Sequence, residues 1–461
     1  MKTLGTVVLL FAIAVAAAAA PPNFVIMFAD DLGYGDLGIF GHPTIATPHL
    51  DRMAQEGQKW TDFYAAASVC TPSRAALLTG RLPIRSGMAN DRVRVLFQDS
   101  FGGLPAEEVT IAETLKPLGY ATAAVGKWHL GHLPQYLPMA QGFDSYFGIP
   151  YSNDMDKSPN NPGGREIWEN PKIEYFNVPL MRNAEIIERP ADQTTIAKRY
   201  TEEAVRFIES NKNKPFFLYL AFSFPHVPLF RSPAFEGKSR RGLYGDVVEE
   251  IDWSVGQVLD TLRSQGLAEN TLVVFTSDNG PWLTFDDQGG SAGLLREGKG
   301  STWEGGMREP TVFWWPGKVK TGVVHDMGST LDLLPTIAKL AGAKVPADRI
   351  LDGHDISPAL LGTGPSPRET MFFYRGTTLF AVRHGNFKAH YRTREAYGSR
   401  AETIWDPPQL YNLGVDPGEQ WDVATKHPDV IKRIAQIVAE HKAKMKPGKD
   451  QLGNRGPGAL R

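Results

Sequence analysis

Asn-Phe-Val-Ile-Met-Phe-Ala, residues 23–29, is a nearly continuous apolar run that ends abruptly at Asp30 and Asp31. A run without alternating polar residues predicts a strand that is covered on both faces. Three later segments repeat the pattern of an apolar run followed at once by polar side chains: residues 120–126, 215–224 and 271–276. The sequence therefore predicts a buried, largely parallel sheet.

Amphipathic segments between these runs predict helices. Residues 246–263 carry apolar side chains at helical spacing, and Asp246 with Glu249 is expected to form a capping box. Residues 194–211 show a similar stripe. Alternation of strands and helices is typical of an α/β fold with helices on both faces of the sheet.

After about residue 343 the pattern changes. Residues 380–391 predict an antiparallel hairpin, and residues 429–444 predict a last helix. The polar, glycine-containing tail from Pro447 is expected to be loose. We therefore expect a large α/β domain over residues 21–345 and a smaller C-terminal α+β domain, an antiparallel sheet plus a helix, over residues 346–461.

The composition excludes several classes of protein. The 461 residues include 49 Lys+Arg and 51 Asp+Glu, a net charge of −2 that gives no general attraction to nucleic acid. The single cysteine, Cys70, excludes an intrachain disulfide and a cysteine-rich zinc site. Cys70 is thus either a structural core residue or a reactive group.

The first twenty residues predict a signal peptide. Lys2 is followed by an apolar run over residues 7–19 and by small residues at 18–20. We therefore expect an exported chain, periplasmic or secreted, with no stable membrane span. The unpaired cysteine and the lack of an Asn-x-Ser/Thr acceptor favour a bacterial source.

Polar side chains follow the carboxyl ends of the predicted strands, which is the edge where open α/β sheets bind ligands. So many charged or metal-binding groups at one edge would repel or desolvate one another unless a cation and an anion lay among them. The pattern therefore predicts a metal ion with an anionic ligand at Asp30, Asp31, Lys127, His129, His226, Asp278 and Asn279.

The segment that contains Cys70 reads as the start of a helix. Thr71 is expected to cap it, Pro72 to occupy its first position and Gly80 to end it. Free N–H groups at a helix N-terminus favour an anion and lower the pKa of a thiol. Arg74 opposes the helix dipole in the first turn, which makes sense if it serves a bound anion. These polar neighbours favour a reactive cysteine over a structural one.

Cys70-x-Pro72-Ser73-Arg74, followed by Leu78-Thr79-Gly80, resembles the signature of the type I, formylglycine-dependent sulfatases. The resemblance is closest to the arylsulfatase A and N-acetylgalactosamine-6-sulfatase group. It implies an alkaline-phosphatase-like fold, a large mixed sheet flanked by helices with a smaller C-terminal domain. Further matching segments extend over most of the chain: residues 29–36, 47–51, 126–131, 277–280, 298–300, 304–310 and 410–419.

The resemblance also implies a chemistry for Cys70. A formylglycine-generating enzyme or equivalent maturase would convert it to Cα-formylglycine. One hydroxyl of the hydrated aldehyde would attack sulfur and form a covalent sulfate ester, and the second would expel sulfate as the aldehyde re-forms. The metal would be Ca²⁺ rather than Mg²⁺, held by Asp30, Asp31, Cys70, Asp278 and Asn279.

The remaining roles come from the same resemblance. His129 would act as the base for the second hydroxyl. Arg74 and Lys127 would hold residue 70 and the sulfate oxygens. His226 and Lys299 would bind the sulfate and protonate the leaving oxygen, and Ser152 would contact the substrate.

Two other functions stay open from the sequence. One is a phosphomonoester or phosphonate hydrolase of the same superfamily, and the other is a non-catalytic exported protein that binds sulfated glycans. The substrate of a sulfatase would be an aryl sulfate, a sulfated sugar or a sulfolipid, because all three present the same group to the same site. Homo-oligomer formation is also left open.

Overall fold

The computed structural model describes residues 20–397 and 401–456. Its strands within these ranges form two sheets. The larger sheet contains β1 (Asn23–Ala29), β2 (Gln58–Tyr64), β3 (Ala121–Gly126), β4 (Ser145–Gly148), β5 (Leu180–Arg182), β6 (Glu185–Glu188), β7 (Phe216–Ala221), β8 (Thr271–Ser277), β9 (Thr311–Trp314) and β10 (Gly322–Ser329). The smaller sheet contains β11 (Thr370–Arg375), β12 (Thr378–His384), β13 (Phe387–Thr393) and β14 (Thr403–Asn412).

The helices of the described ranges include three long ones that pack on these sheets. In chain order they are α1 (Pro48–Glu56), α2 (Cys70–Thr79), α3 (Pro83–Ser86), α4 (Ile111–Leu115), α5 (Glu166–Glu169), α6 (Ile196–Ser210), α7 (Leu243–Ser264), α8 (Glu304–Met307), α9 (Leu333–Ala341), α10 (Ser357–Leu361) and α11 (Pro428–Lys444).

The large sheet has the strand order β10-β2-β9-β8-β1-β7-β3-β4-β5-β6. Its centre, β8-β1-β7-β3-β4, is parallel, and β9, β5 and β6 run antiparallel to their neighbours, so the sheet is mixed. Alternate residues of β1 enter separate apolar cores on the two faces. The predicted α/β class, with helices on both faces and a smaller antiparallel sheet, is confirmed.

The start of α7 differs from the prediction. The helix begins at Leu243, so Asp246 lies inside its first turn. The Asp246 carboxylate accepts hydrogen bonds from the backbone N–H groups of Gly237 and Ser239, at 2.9 and 2.8 Å. The expected capping box with Glu249 is therefore wrong, because the carboxylate serves the preceding loop instead.

The expectation of a loose tail is also wrong for the residues that the structure describes. The Gly448 and Gln451 N–H groups donate to the backbone oxygens of Ile84 and Gly87, at 2.8 and 2.9 Å. The Leu452 side chain is fully buried. Gly448 lets this segment lie against the α3 region, so Leu452 joins the core although residues 446–450 stay exposed.

A buried charged network joins the smaller sheet to α8. Lys388 Nζ on β13 lies 2.9 Å from Glu304 Oε1 and 3.0 Å from Glu419 Oε1, and all three side chains are completely buried. Glu419 Oε2 also accepts from the Glu304 backbone N–H at 2.7 Å. The C-terminal sheet thus fixes the start of α8, immediately after the loop that carries Lys299.

The predicted signal peptide, apart from residue 20, lies outside the described residues. Within residues 20–397 and 401–456, no helix combines the length and the apolar character that crossing a membrane requires. The domain boundary near residue 345 stays a prediction.

Candidate active site

The polar residues singled out in the sequence meet at one edge of the large sheet. Strands β8, β1, β7 and β3 are consecutive neighbours, and all four point the same way. Parallel strands bring their carboxyl ends to a common edge, so the residues that follow them become neighbours. The structure brings together Asp30 and Asp31 after β1, Lys127 and His129 after β3, His226 after β7, and Asp278 and Asn279 after β8, all of them buried.

Three carboxylates of this edge are paired with three cations. Asp30 Oδ2 lies 2.5 Å from Lys127 Nζ, and Asp31 Oδ2 lies 2.7 Å from Lys299 Nζ. Asp278 Oδ2 accepts from both Nε and Nη2 of Arg74, at 3.0 and 2.8 Å. Each of these charges is buried, and pairing offsets the loss of hydration.

The two adjacent carboxyl groups have opposite pKa shifts. Burial opposes ionisation of Asp30, but the charges of Lys127 and Arg74 outweigh it and hold its pKa well below the usual value. Burial, helped by the charge of Asp30, raises the pKa of Asp31 to about 6 despite Lys299. The site therefore contains one firmly ionised carboxylate beside one that is easier to protonate.

Cys70 opens α2, as the sequence predicts, but the details of the helix start differ. Val69 is the N-cap and provides no side-chain cap, while the Thr71 hydroxyl donates to the His129 backbone oxygen at 3.0 Å. Pro72 is therefore the third helical residue, not the first. Burial raises the pKa of the Cys70 thiol, opposite to the lowering expected from the helix N-terminus. An unmodified Cys70 would thus be a poor nucleophile.

Both histidines of the edge have a defined tautomer, because each ring bonds a carbonyl oxygen that can only accept. His129 Nε2 donates to the Leu96 oxygen at 2.8 Å, which leaves Nδ1 unprotonated, buried and without a hydrogen-bond partner in the structure. His226 Nδ1 donates to its neighbour's oxygen at 2.5 Å, and Nε2 lies 3.6 Å from Asp31 Oδ2. Burial and nearby lysines hold both pKa values well below the usual range.

Two residues of the edge have backbone conformations that L-residues rarely adopt. The φ angles are +66° at Asp31 and +58° at His129. Such conformations persist where the surroundings impose them, and they cluster at functional sites. They turn both side chains toward the other groups of the edge.

The carboxylate and amide oxygens of this edge suit a hard cation, whereas the Cys70 thiol and the His226 imidazole do not. Ligand atoms of Asp30, Asp31, Cys70 and His226 all lie within 4.8 Å of one another. Asp30 Oδ1 and Asn279 Oδ1 are buried without a hydrogen-bond donor, as oxygens reserved for a metal would be. Asp278 stands next to them but is held by Arg74, so the predicted ligand set of Asp30, Asp31, Cys70, Asp278 and Asn279 stays a prediction.

A cavity of about 360 Å³ opens above this edge. It is lined by predicted site residues, Cys70, His129, Ser152, His226 and Lys299, and the Ser152 hydroxyl accepts from Lys127 Nζ at 3.0 Å. Sequence reasoning missed the rest of the wall, which comes from loops without a recognisable motif and from the tail: Val69, Arg92, Val93, Arg94, Val95, Phe97, Asp154, Met155, Trp282, Tyr397 and Arg455.

A mixed sheet with helices on both faces, carrying a cation-rich pocket at its carboxyl edge, is suited to binding a small anionic group. The chain matches the family model described as sulfatase over residues 22–343. It matches the C-terminal region of aryl-sulfatase over residues 366–457. The chain therefore belongs to the sulfatase family, and its activity is the hydrolysis of sulfate esters.

Named relatives agree with this assignment. Human arylsulfatase A is 45% identical over 450 residues, covering 91% of this chain and 88% of the relative. Dog N-acetylgalactosamine-6-sulfatase is 42% identical over 472 residues, covering 95% and 89%. The solved structure of the PsFucS1 sulfatase from Pseudoalteromonas sp. is 29% identical with a TM-score of 0.82, covering 95% of this chain and 92% of that one. The predicted arylsulfatase-type enzyme is confirmed.

Proposed function

We propose that this sulfatase cleaves sulfate monoesters through a Cα-formylglycine that a maturase makes from Cys70. The observation that carries the proposal is the position of Cys70: it opens α2 and borders the cavity, and its sulfur lies within 4.8 Å of ligand atoms of Asp30 and Asp31. The hydrated aldehyde supplies a hydroxyl nucleophile and a second hydroxyl that can release the product.

The buried cations would bind and orient the sulfate group. Lys299 Nζ borders the cavity, and Lys127 Nζ reaches its wall through Ser152. Arg74 is held by Asp278 and by the Lys127 backbone oxygen, at 2.9 Å, so it would steady the start of α2. Preorganised cations of this kind stabilise the charge that develops on the sulfate oxygens.

The two histidines would handle protons on different atoms. His129 Nδ1 is an unprotonated acceptor with no competing donor, which suits a base that acts on residue 70. His226 presents an unprotonated Nε2 beside Asp31 and Lys299. It would have to take up a proton before it protonated the leaving oxygen, whereas the Lys299 ammonium already carries one. Ser152 would contact the substrate while it holds Lys127.

A calcium ion, in preference to magnesium, would be held by the oxygens of Asp30, Asp31, Asp278 and Asn279 and by the modified residue 70. When bound, the ion would lower the pKa of the attacking hydroxyl and neutralise developing charge. This part of the proposal is supported by Asp30 Oδ1 and Asn279 Oδ1, which are buried and accept no hydrogen bond, although Arg74 Nη2 lies 3.5 Å from Asp30 Oδ1.

We further propose an exported protein, periplasmic or secreted in a bacterium, whose signal peptide ends near residue 20. Among sulfated sugars, N-acetylgalactosamine 6-sulfate is the first to test, since a relative at 42% identity is named for its hydrolysis. Aryl sulfates and sulfolipids remain alternative substrates.

The test pairs a mass measurement with turnover. The peptide that contains Cys70 is analysed by mass spectrometry from chain made with and without a formylglycine-generating enzyme. Hydrolysis of 4-nitrophenyl sulfate is measured on both preparations and on Cys70→Ala. We expect turnover to rise in proportion to the aldehyde fraction and to be absent in Cys70→Ala.

Two results would contradict the proposal. Full turnover by chain whose Cys70 is entirely a thiol would exclude the formylglycine route. A much higher kcat/KM for 4-nitrophenyl phosphate than for the sulfate would favour the phosphoesterase alternative.

A further inference from the structure

The wall of the active-site cavity carries more positive charge than one sulfate group requires. Its side chains include Lys299, Arg92, Arg94 and Arg455, against one wall carboxylate at Asp154. Two of these cations are already paired with acids. Lys299 lies 2.7 Å from Asp31, and Arg455 donates twice to Asp99, at 2.7 Å.

Neither Arg92 nor Arg94 has a carboxylate partner among the described residues. Arg92 is exposed, whereas Arg94 is half-buried and donates from Nη2 to the Gly300 backbone oxygen at 3.0 Å. Arg375 Nη1, from β11 of the smaller sheet, donates to the same oxygen. Two guanidinium groups from distant parts of the chain therefore converge on one carbonyl.

Arg94 and Arg375 also repel each other. Burial and the charge of Arg94 lower the pKa of Arg375 to about 10. The carboxylate of Glu402 acts in the opposite direction and raises the pKa of Arg375, but Glu402 is itself paired with Arg392. Clustered like charges are unfavourable unless an anion joins them.

The cluster is coupled to the sulfate end of the cavity by chain connectivity. Gly300, on which Arg94 and Arg375 converge, directly follows Lys299. Its φ is +88°, and a Cβ there would lie 2.8 Å from Arg94 Nη1, so glycine permits the close approach. The arginine cluster is thus anchored one residue away from a cation that borders the sulfate site.

We propose that Arg94, which lines the cavity, and Arg375, which shares the Gly300 oxygen with it, form a subsite for a second anionic group on the substrate. This inference rests on the proposed function and narrows its substrate class to sulfate esters that carry a further sulfate or carboxylate. Trp282 and Tyr397, whose rings lie 5.6 Å apart on the same wall, would contact the carbon skeleton between the two anions.

The test measures binding in the Cys70→Ala background, so that it does not depend on turnover. Isothermal titration compares N-acetylgalactosamine 6-sulfate with its 4,6-disulfate, and with a disaccharide that adds a glucuronate to the 6-sulfated sugar. We expect at least one dianionic ligand to bind about tenfold more tightly than the monosulfate, with an advantage that shrinks as salt is raised. The ligand that binds more tightly than the monosulfate identifies the second anion as sulfate or carboxylate.

Substitutions then locate the subsite. Arg94→Gln and Arg375→Gln should each reduce the advantage to less than about threefold, while Arg94→Lys should keep part of it because the charge remains. Arg455→Gln is the matched control, since Asp99 already neutralises that arginine on the same wall. Thermal unfolding of each variant checks that it is folded.

Equal affinity for all three ligands would overturn the proposal, as would a dianion advantage that survives both glutamine substitutions. Failure of the proposed function gives a different result, namely no hydrolysis of 4-nitrophenyl sulfate by aldehyde-containing enzyme. The comparison of ligand affinities can still be interpreted in that case, because it is measured without turnover.

Discussion

Replacing Lys388 by Met should destabilise the protein far more than removal of an ordinary surface charge. The ammonium group lies between the carboxylates of Glu304 and Glu419, and none of the three side chains is exposed. Methionine fills similar space but leaves the two acids without their shared cation. Removal of one partner from a buried ion pair costs about 3–5 kcal/mol.

The pKa of Glu304 gives a second, independent value for the stabilisation that this ion pair provides. Burial opposes ionisation, yet Lys388 and the nearby arginines lower the pKa to about 2 from 4.5. That difference corresponds to about 3 kcal/mol of stability at neutral pH. Because the folded-state pKa is depressed, this contribution is complete above pH 4.5 and is lost as the pH falls toward 2. The deficit of the variant should therefore shrink in acid.

Calorimetric scans at matched rates measure the effect. A chain of this length that unfolds as one unit shifts its midpoint by about 1 °C per kcal/mol, so we expect a decrease of about 3–5 °C at pH 7. Lys198→Met is the control, because Lys198 and Glu202 form an exposed pair at 3.7 Å and should contribute less than about 1 kcal/mol. Equal midpoints for the two variants would refute the reasoning.

Three further predictions concern the metal, the pocket and pH. Dialysis against a chelator should abolish hydrolysis of 4-nitrophenyl sulfate, and Ca²⁺ should restore it better than Mg²⁺; activity that survives chelation would exclude the ion. Ser152→Ala, which removes an acceptor for Lys127, should lower kcat/KM about fivefold; an unchanged value would contradict its substrate role. Burial lowers the pKa of His441 to about 4, so its stabilising contribution is present above pH 6.5 and lost as the pH falls toward 4. The advantage of wild type over His441→Gln in unfolding midpoint should therefore be smaller at pH 5 than at pH 7.5, and a constant difference would be inconsistent with that titration.

The central strands and their edge were predictable because burial on both faces leaves a clear pattern. The apolar runs predicted at residues 23–29 and 271–276 end within one residue of the ends of β1 and β8 in the structure. Polar residues follow both runs at once. Parallel pairing then brings those residues together without further information. The Cys70 motif added the family and its expected roles.

The errors arose where tertiary contacts override local signals. Asp246 has the composition of a cap but binds a loop, and Thr71 bonds the His129 oxygen in place of its own helix. Glycines in the tail suggested a loose segment, although Gly448 allows it to lie close to the backbone of residues 85–87. Arg94 had no detectable signal, since its role depends on a carbonyl more than two hundred positions later.

The tail determines when the cavity can exist. Its wall includes Val69 and Cys70 together with Arg455, so it cannot close before residue 455 has been synthesised. Cys70 is 2% exposed once the chain has folded, which leaves little access for another protein. If Cys70 is modified as proposed, the modifying enzyme would have to act on a growing or unfolded chain. The yield of active protein would then depend on the relative rates of modification and folding, and a change that speeds closure of the tail should lower it.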